Sequence, residues 1–161
     1  MSFKRSVALL LCVCGLLTSA IAADDVTDRQ TREKAFVEML SNTTLVGSFT
    51  VDAKMDQPPK PERYEITTVT KLTDELWTLM TRVKYGNKDV TLPVTVPIVW
   101  AGDTPMVSMT DQSIPGLGDN FSARVVFHDG RYAGTWQHGE VGGHMFGRFE
   151  KTKTDKNETK K

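Results

Sequence analysis

The chain has almost no cysteine, no excess of charge of either sign, and a single long apolar run. Its 161 residues contain two cysteines, Cys12 and Cys14, and both lie in that run. Lys and Arg together number 20, and Asp and Glu also number 20. This balance gives no electrostatic reason to expect a nucleic acid or an anionic membrane as partner. We therefore expect packing, rather than a disulfide framework, to stabilise the mature protein.

The apolar run has the features of a secretory signal peptide. A basic pair, Lys4-Arg5, precedes it, and Ala20-Ile21-Ala22 follows it as an A-x-A cleavage box. The run itself, from Val7 to Leu17, is shorter than the roughly 20 apolar residues that a membrane-spanning helix needs. We therefore expect residues 1–22 to be removed on export. The mature protein would then be periplasmic or extracellular, with no membrane span.

Residues 24–42 have the pattern of one amphipathic α-helix. Thr27 and Gln30 fit a capping box at its amino-terminal end. The apolar residues that recur at helical spacing are Phe36, Met39 and Leu40. So narrow an apolar face favours a helix that packs against a sheet over a helix that recognises a partner.

From Thr44 onward, polar and apolar residues alternate at period two, and turn residues interrupt the alternation. Asp129-Gly130 is a dipeptide that a two-residue type I′ hairpin favours, because both turn positions need φ > 0. Gly86-Asn87 suits a type II′ hairpin, because glycine stands first. The two turns fix the register of their strands, and the register decides which side chains share a face.

These registers predict one inward face of small and aromatic residues. Phe127 lies opposite Tyr132, Ala123 lies opposite Trp136, and the same parity continues to His138. Further residues predicted to point inward are Trp77, Leu79, Val83, Val90, Phe121, Val125, Gly134 and Met145. Those predicted to point outward are Arg124, His128, Arg131, Thr135, Gln137, His144, Arg148 and Glu150.

Two segments interrupt this regular pattern. Pro93 and Pro97 fall within a strand predicted from Val90 to Trp100, and proline cannot donate to a ladder. We expect that strand to be exposed at one side, bulged or bent. Residues 112–120 are predicted to form an irregular loop with apolar residues, which either folds back on the core or caps an opening as a lid.

About eight strands joined mainly by short hairpins predict an all-β antiparallel meander over residues 43–150. The meander forms a barrel or a strongly curved sheet, with the N-terminal helix at one end; a two-sheet β-sandwich is the alternative. The interior glycines, Gly47, Gly134 and Gly147, either make room for the tryptophans or leave space for a ligand. The tail, residues 151–161, is rich in Lys, has no apolar residue and is predicted to be disordered.

Four segments carry a resemblance to known proteins: Val99–Pro105, Ser113–Gly118, Gly130–Gly139 and Gly142–Gly147. They resemble an uncharacterised family of small exported bacterial proteins, mostly from planctomycetes. This resemblance implies export and a shared fold, and it supplies no activity.

A weaker resemblance rests on Gly47-Ser48-Phe49 and Arg148. In lipocalin-like calycin barrels a helical lead enters the first strand through Gly-x-Trp, and a basic residue near the last strand covers that Trp. The chain is similar, with Phe in place of Trp. The resemblance implies a ligand-binding barrel.

The segment from His138 to His144 contains two imidazoles and the carboxylate of Glu140 around a glycine-rich turn. Zinc or copper would require such ligands to converge, and heme would require one imidazole as axial ligand. A hydrolase that uses the same three residues is a further alternative. The alternation of inward and outward residues argues against such a site, because it places His138 on the inward face of the sheet and His144 on the outward face.

The sequence favours a non-enzymatic exported barrel without a cofactor. It contains no Gly-x-Ser-x-Gly elbow, and its glycine pairs lack the strand-to-helix context of a phosphate loop. The domain would bind a small apolar ligand or act as a structural module that contacts an envelope protein. The candidate ligand contacts are Leu117, Tyr132, Trp136 and His138. An interior cavity of about 300 Å³ or more would favour ligand binding, and a close-packed centre would favour the structural role.

Overall fold

The computed structural model describes residues 14–151, with side chains from residue 26 onward. It contains one α-helix, one short 3-10 helix (Asp52–Lys54) and eight strands. In chain order the elements are α1 (Cys14–Leu40), β1 (Thr43–Phe49), β2 (Lys60–Lys71), β3 (Leu76–Tyr85), β4 (Lys88–Ala101), β5 (Thr104–Ile114), β6 (Gly118–His128), β7 (Arg131–His138) and β8 (Val141–Lys151).

The eight strands form a closed antiparallel barrel in which each strand pairs with the next. β8 pairs with β1 along the whole of β1, from Thr43↔Lys151 to Phe49↔Met145. The predicted all-β meander barrel with one N-terminal helix is therefore confirmed. The two-sheet sandwich is wrong, because this last pairing leaves no separate sheets.

Both predicted hairpins have the predicted register. Asp129 and Gly130 have φ values of 46° and 70°, as a type I′ turn requires, and Phe127 pairs with Tyr132. In the other hairpin the first turn residue, Gly86, has a φ of 53°, and Tyr85 pairs with Lys88. The predicted faces follow from these registers. Ala123, Val125, Phe127 and Tyr132 are buried, whereas Arg124, His128 and Arg131 are exposed.

β4 is paired on one edge only along most of its length. It pairs with β3 from Lys88 to Pro97, but its pairing with β5 covers only Ile98 to Ala101. The Ile98 N–H donates to the Glu75 carbonyl on the β3 side, and successive N–H groups of an antiparallel strand alternate sides. The positions of Pro93 and Pro97, which lack an N–H, therefore face β5. This confirms the predicted one-sided exposure and explains where the pairing stops.

The chain divides into two compact units, Met1–Phe36 and Val37–Lys161, and the whole barrel lies in the second.

The helix differs from the prediction at both ends. α1 already begins at Cys14, and the Thr27 carbonyl accepts a hydrogen bond from the Thr31 hydroxyl at 2.9 Å within it. The predicted cap at Thr27 is therefore wrong. The helix ends at Leu40, and Asn42 follows with a φ of 51°, a left-handed conformation common after helices.

The predicted leader lies only partly within the described residues, and its removal stays a prediction. No helix in the described part of the chain is long and apolar enough to span a membrane. At the other terminus, Lys151 is the last residue of β8, so the predicted tail begins one residue too early. Residues 152–161 lie outside the described residues.

Lys151 also binds the carboxyl-terminal end of α1 within the second unit. Its Nζ donates to the carbonyls of Glu38, Met39 and Ser41 at 2.7, 3.1 and 3.3 Å. A helix leaves its last carbonyls without intrahelical partners, and a cation there also opposes the negative end of the helix dipole. The contact therefore fixes the helix end to the last strand.

We expect Lys151→Met to lower the free energy of unfolding by about 1 kcal/mol, because it removes a cation and its donors from these carbonyls. Urea denaturation measures the change. Lys88→Met, at the exposed first residue of β4, serves as the control and should have almost no effect. Equal losses in the two variants would contradict this role for Lys151.

Candidate functional site

The barrel encloses a cavity of about 470 Å³ between its inward faces. Small-molecule sites in proteins commonly measure about 300–1,000 Å³ and are mainly apolar. The lining here is mainly aliphatic and aromatic, for example Leu45, Ile66, Val94 and Val125. The interior of the barrel is therefore hollow and not close-packed.

The two ends of the barrel differ. At the α1 end, where β1 begins and β8 ends, large side chains fill the interior: Trp77 and Ile98 are each 1% exposed. At the opposite end, which we call the mouth, the lining includes the partly exposed Leu117 and the exposed His138 and Val141. Because exposed residues belong to the lining there, the cavity reaches the surface at the mouth.

Leu117 belongs to a shorter loop than the sequence predicts. β5 continues to Ile114 and β6 begins at Gly118, so only residues 115–117 connect them. The predicted irregular loop over residues 112–120 is therefore mostly hairpin, with register shifts between Met109 and Ile114. Period-two alternation fails where bulged residues intervene, so the pattern does not extend β5 and β6 into this segment. Leu117, the last residue of this connection, lines the cavity.

All four candidate ligand contacts line this cavity: Leu117, Tyr132, Trp136 and His138. The Trp136 indole N–H donates to the Thr50 carbonyl at 3.2 Å, and its ring meets Phe49 edge-on. The His138 ring stacks on Phe121 with a centroid separation of 4.1 Å. Aromatic side chains therefore form much of the mouth.

The structure does not bring His138, Glu140 and His144 together. His138 lies on the inner face, Glu140 is exposed in the turn after β7, and His144 lies on the outer face. The His144 Nδ1 is 3.9 Å from a carboxylate oxygen of Asp52. Within the described residues, no three His, Cys, Asp or Glu side chains are grouped closely enough to hold a metal ion.

Arg148 also lies on the outer face, as its parity predicts. It is exposed, and its guanidinium pairs with Glu150 on the same strand at 2.6 Å. A side chain in this place does not cover Phe49, which lines the cavity inside the barrel. The part of the calycin resemblance that concerns this basic residue therefore has no counterpart here.

Sequence reasoning missed a buried polar cluster in the cavity wall. Glu62 is 5% exposed, and each of its carboxylate oxygens accepts one hydrogen bond from a tyrosine. The Tyr132 hydroxyl donates to Oε1 and the Tyr64 hydroxyl donates to Oε2, both at 2.8 Å. We call Glu62, Tyr64 and Tyr132 the carboxylate cluster. It supplies polar atoms to a cavity that is otherwise mainly apolar.

The cluster depends on a row of partners across four adjacent strands. Tyr132 pairs with Gly147, Gly147 with Gly47, and Gly47 with Glu62. A Cβ atom on Gly47 would overlap the Tyr132 hydroxyl, and one on Gly147 would lie 2.6 Å from its ring. The two glycines therefore let the Tyr132 side chain lie across β8 and β1 and reach Glu62 on β2.

The sequence left two roles open for the interior glycines, room for the tryptophans or space for a ligand, and Gly47 and Gly147 have neither. At Gly47 and Gly147 the ring that uses the space is Tyr132. At Gly134 an added Cβ would meet the backbone of Arg124 on the neighbouring strand. All three positions require glycine for the same reason: a neighbouring side chain or backbone lies closer to them than a Cβ atom would allow.

Burial is the main cause of the pKa shifts in the cluster. It raises the pKa of Glu62, while the hydrogen bonds from Tyr132 and Tyr64 act in the opposite direction. Burial and the neighbouring Glu62 charge raise the pKa values of Tyr64 and Tyr132 well above the ordinary value. Both tyrosines are therefore neutral hydroxyl donors at physiological pH.

We expect the raised pKa of Glu62 to make part of the stability depend on pH. The folded state binds this proton more tightly than the unfolded chain, whose reference pKa is 4.5. The contribution is therefore complete below that value and is lost as pH rises through the raised pKa. As pH rises over this range, the wild type should lose stability relative to Glu62→Gln. Urea denaturation at successive pH values measures the difference.

Glu65→Gln, on the same strand, is the matched control with the opposite sign. Hydrogen bonds from Lys84 and Arg63 lower the pKa of Glu65, so its contribution is present above the ordinary value and lost on acidification. Relative to Glu65→Gln, the wild type should gain stability as pH rises. If stability changed with pH in the same direction in both comparisons, this would contradict the conclusion that burial raises the pKa of Glu62.

The chain matches no protein-family model, no curated protein and no solved structure in the three comparisons made. The cavity and the carboxylate cluster are therefore the features that bear on its function.

Proposed function

We propose that this protein is an exported, non-enzymatic binding domain that holds one small, mainly apolar molecule inside its barrel. The observation that carries the proposal is the apolar cavity of about 470 Å³, which reaches the surface at the mouth. Export rests on the signal-peptide pattern of residues 1–22. The proposal of ligand binding rests on the incomplete packing of the barrel interior around this cavity.

Protein interiors are packed about as densely as organic crystals, and few of their voids are larger than a water molecule. The apolar side chains around this cavity make no dispersion contacts with other protein atoms on that side. A bound apolar molecule would restore those contacts and would also remove its own surface from water, at about 25 cal/mol per Å². Leu117 and the stacked pair Phe121 and His138 lie where such a molecule would pass.

The lining also favours binding over hydrolysis. Among the described residues that line the cavity, Glu62 is the one carboxylate. Glycoside hydrolysis uses two carboxyl groups on opposite sides of the scissile bond, and this cavity presents one. Both oxygens of that carboxylate already accept a tyrosine hydroxyl.

The test uses N-phenyl-1-naphthylamine, a neutral apolar dye whose fluorescence rises in apolar surroundings. We expect the mature protein to bind the dye with a stoichiometry of one per barrel. Ala123→Phe should weaken this binding at least tenfold, because Ala123 lines the cavity and a larger ring would occupy it.

Ala133→Phe is the matched control, since Ala133 is exposed on β7. It should bind the dye like the wild type. Circular dichroism and thermal melting show whether both variants are folded. Absence of dye binding by the folded wild type, or equal weakening in the two variants, would overturn the proposal.

A further inference from the structure

The carboxylate cluster has an unusual balance of hydrogen-bonding groups. A tyrosine hydroxyl has one proton, and both Tyr64 and Tyr132 donate that proton to Glu62. What remains on the cluster is a set of oxygen lone pairs, on the carboxylate and on the two phenols. The cluster therefore presents acceptors to the cavity, and a polar group that binds it has to be a donor.

The cavity also has an unbalanced charge. Among the described residues that line it, none is Lys or Arg. The outward residues of β2 are different, because Glu65 pairs there with Arg63 and Lys84 at 3.0 and 3.1 Å. A buried carboxylate without a cation is costly, and a cationic group that also donates hydrogen bonds would compensate it.

We propose that the molecule bound in this cavity carries a protonated amine at its polar end, and that Glu62 is the group that receives it. The inference rests on the proposed function and adds the ligand's chemical class. An ammonium group has three donors and no acceptor, so it matches both the charge and the lone pairs of the cluster. The apolar remainder of the molecule would lie among the aliphatic and aromatic residues that line the rest of the cavity.

A ligand with a carboxylate head is the wrong partner on the same grounds. Its charge would repel Glu62, and its oxygens would meet acceptors that have no proton left to give. An alcohol is intermediate, because it offers one donor and no charge. The three head groups therefore separate the contributions of charge and of hydrogen bonding.

The experiment compares octylamine, octan-1-ol and octanoate as competitors of N-phenyl-1-naphthylamine on the mature protein near neutral pH. The three competitors each have eight carbon atoms, so they differ mainly in the head group. We expect octylamine to displace the dye at concentrations at least tenfold lower than the other two, a ratio that corresponds to about 1.4 kcal/mol. Charge-assisted hydrogen bonds are strong enough to give this ratio.

Glu62→Gln should lose this preference and bind octylamine and octan-1-ol about equally, because Gln is similar in shape and uncharged. Glu65→Gln, which changes a carboxylate on the outer face, should keep the preference. Thermal melting of both variants shows whether they are folded. Persistence of the preference in folded Glu62→Gln would overturn the assignment of Glu62.

The outcomes separate this inference from the proposed function. If the wild type does not bind the dye at all, the proposed function fails. If it binds the dye but octanoate or octan-1-ol competes as well as octylamine, ligand binding stands and the amine inference is overturned.

Discussion

Trp77→Ala is expected to lower the free energy of unfolding by about 4 kcal/mol, within the range for removal of large buried aromatic side chains. Trp77 is 1% exposed and fills the α1 end of the barrel. Neighbouring strands pair with it at Lys71 and Val96, so the surrounding backbone has little freedom to collapse into the space left. Urea denaturation at constant pH measures the loss.

Trp136→Ala is the matched control, because Trp136 is half-buried and already borders the cavity. Its removal enlarges an existing space and gives up one hydrogen bond to Thr50 and an edge contact with Phe49. We expect a loss of about 2 kcal/mol or less. Comparable losses in the two variants would contradict the distinction between a filled end and a hollow one.

Gly47→Ala is expected to cost about 3 kcal/mol, although it adds a single methyl group. The new Cβ would overlap the Phe146 carbonyl and the Tyr132 hydroxyl. One of these atoms belongs to the backbone of the paired strand, so rotation of a side chain cannot relieve the clash. A loss of this size should lower the melting temperature by roughly 10 °C in a domain of this length.

Ser48→Ala, the next residue on β1, is the control and should change stability by less than about 1 kcal/mol. The Gly47→Ala variant should also separate Tyr132 from Glu62. Ultraviolet difference spectroscopy of tyrosine would then show the change in hydrogen bonding of the phenol. A stable Gly47→Ala protein with an unchanged tyrosine spectrum would contradict the role of the glycine row.

Glu62 shows why part of the site was beyond sequence reasoning. The segment Gln57–Pro61 has three prolines, which cannot donate to a ladder, so the sequence alone places the start of the second strand after it, at Tyr64. In the structure β2 begins at Lys60, before the last of these prolines. Glu62 then falls on the inner face, where a carboxylate is rarely expected without a partner. Its partner Tyr132 is 70 residues away in the chain.

A bulge in the same strand also interrupts the alternation of buried and exposed residues. The pairing of β2 with β3 shifts between Ile66 and Thr68, so that Ile66 and Val69 are both buried although they are three residues apart. Strict alternation from Tyr64 would place Val69 outside. Bulges depend on how a strand fits its neighbours, and period-two reading of one strand does not reveal them.

The sequence by itself determined the two hairpins, the faces of their strands and the all-β meander. These features depend on φ preferences of dipeptides such as Asp129-Gly130 and on alternation between adjacent residues, and both act over a few positions of the chain. The tertiary structure decided the closure of β1 on β8, the hollow interior and the carboxylate cluster. Each of these depends on the stagger of strands around the barrel, which brings residues as distant as Glu62 and Tyr132 into contact.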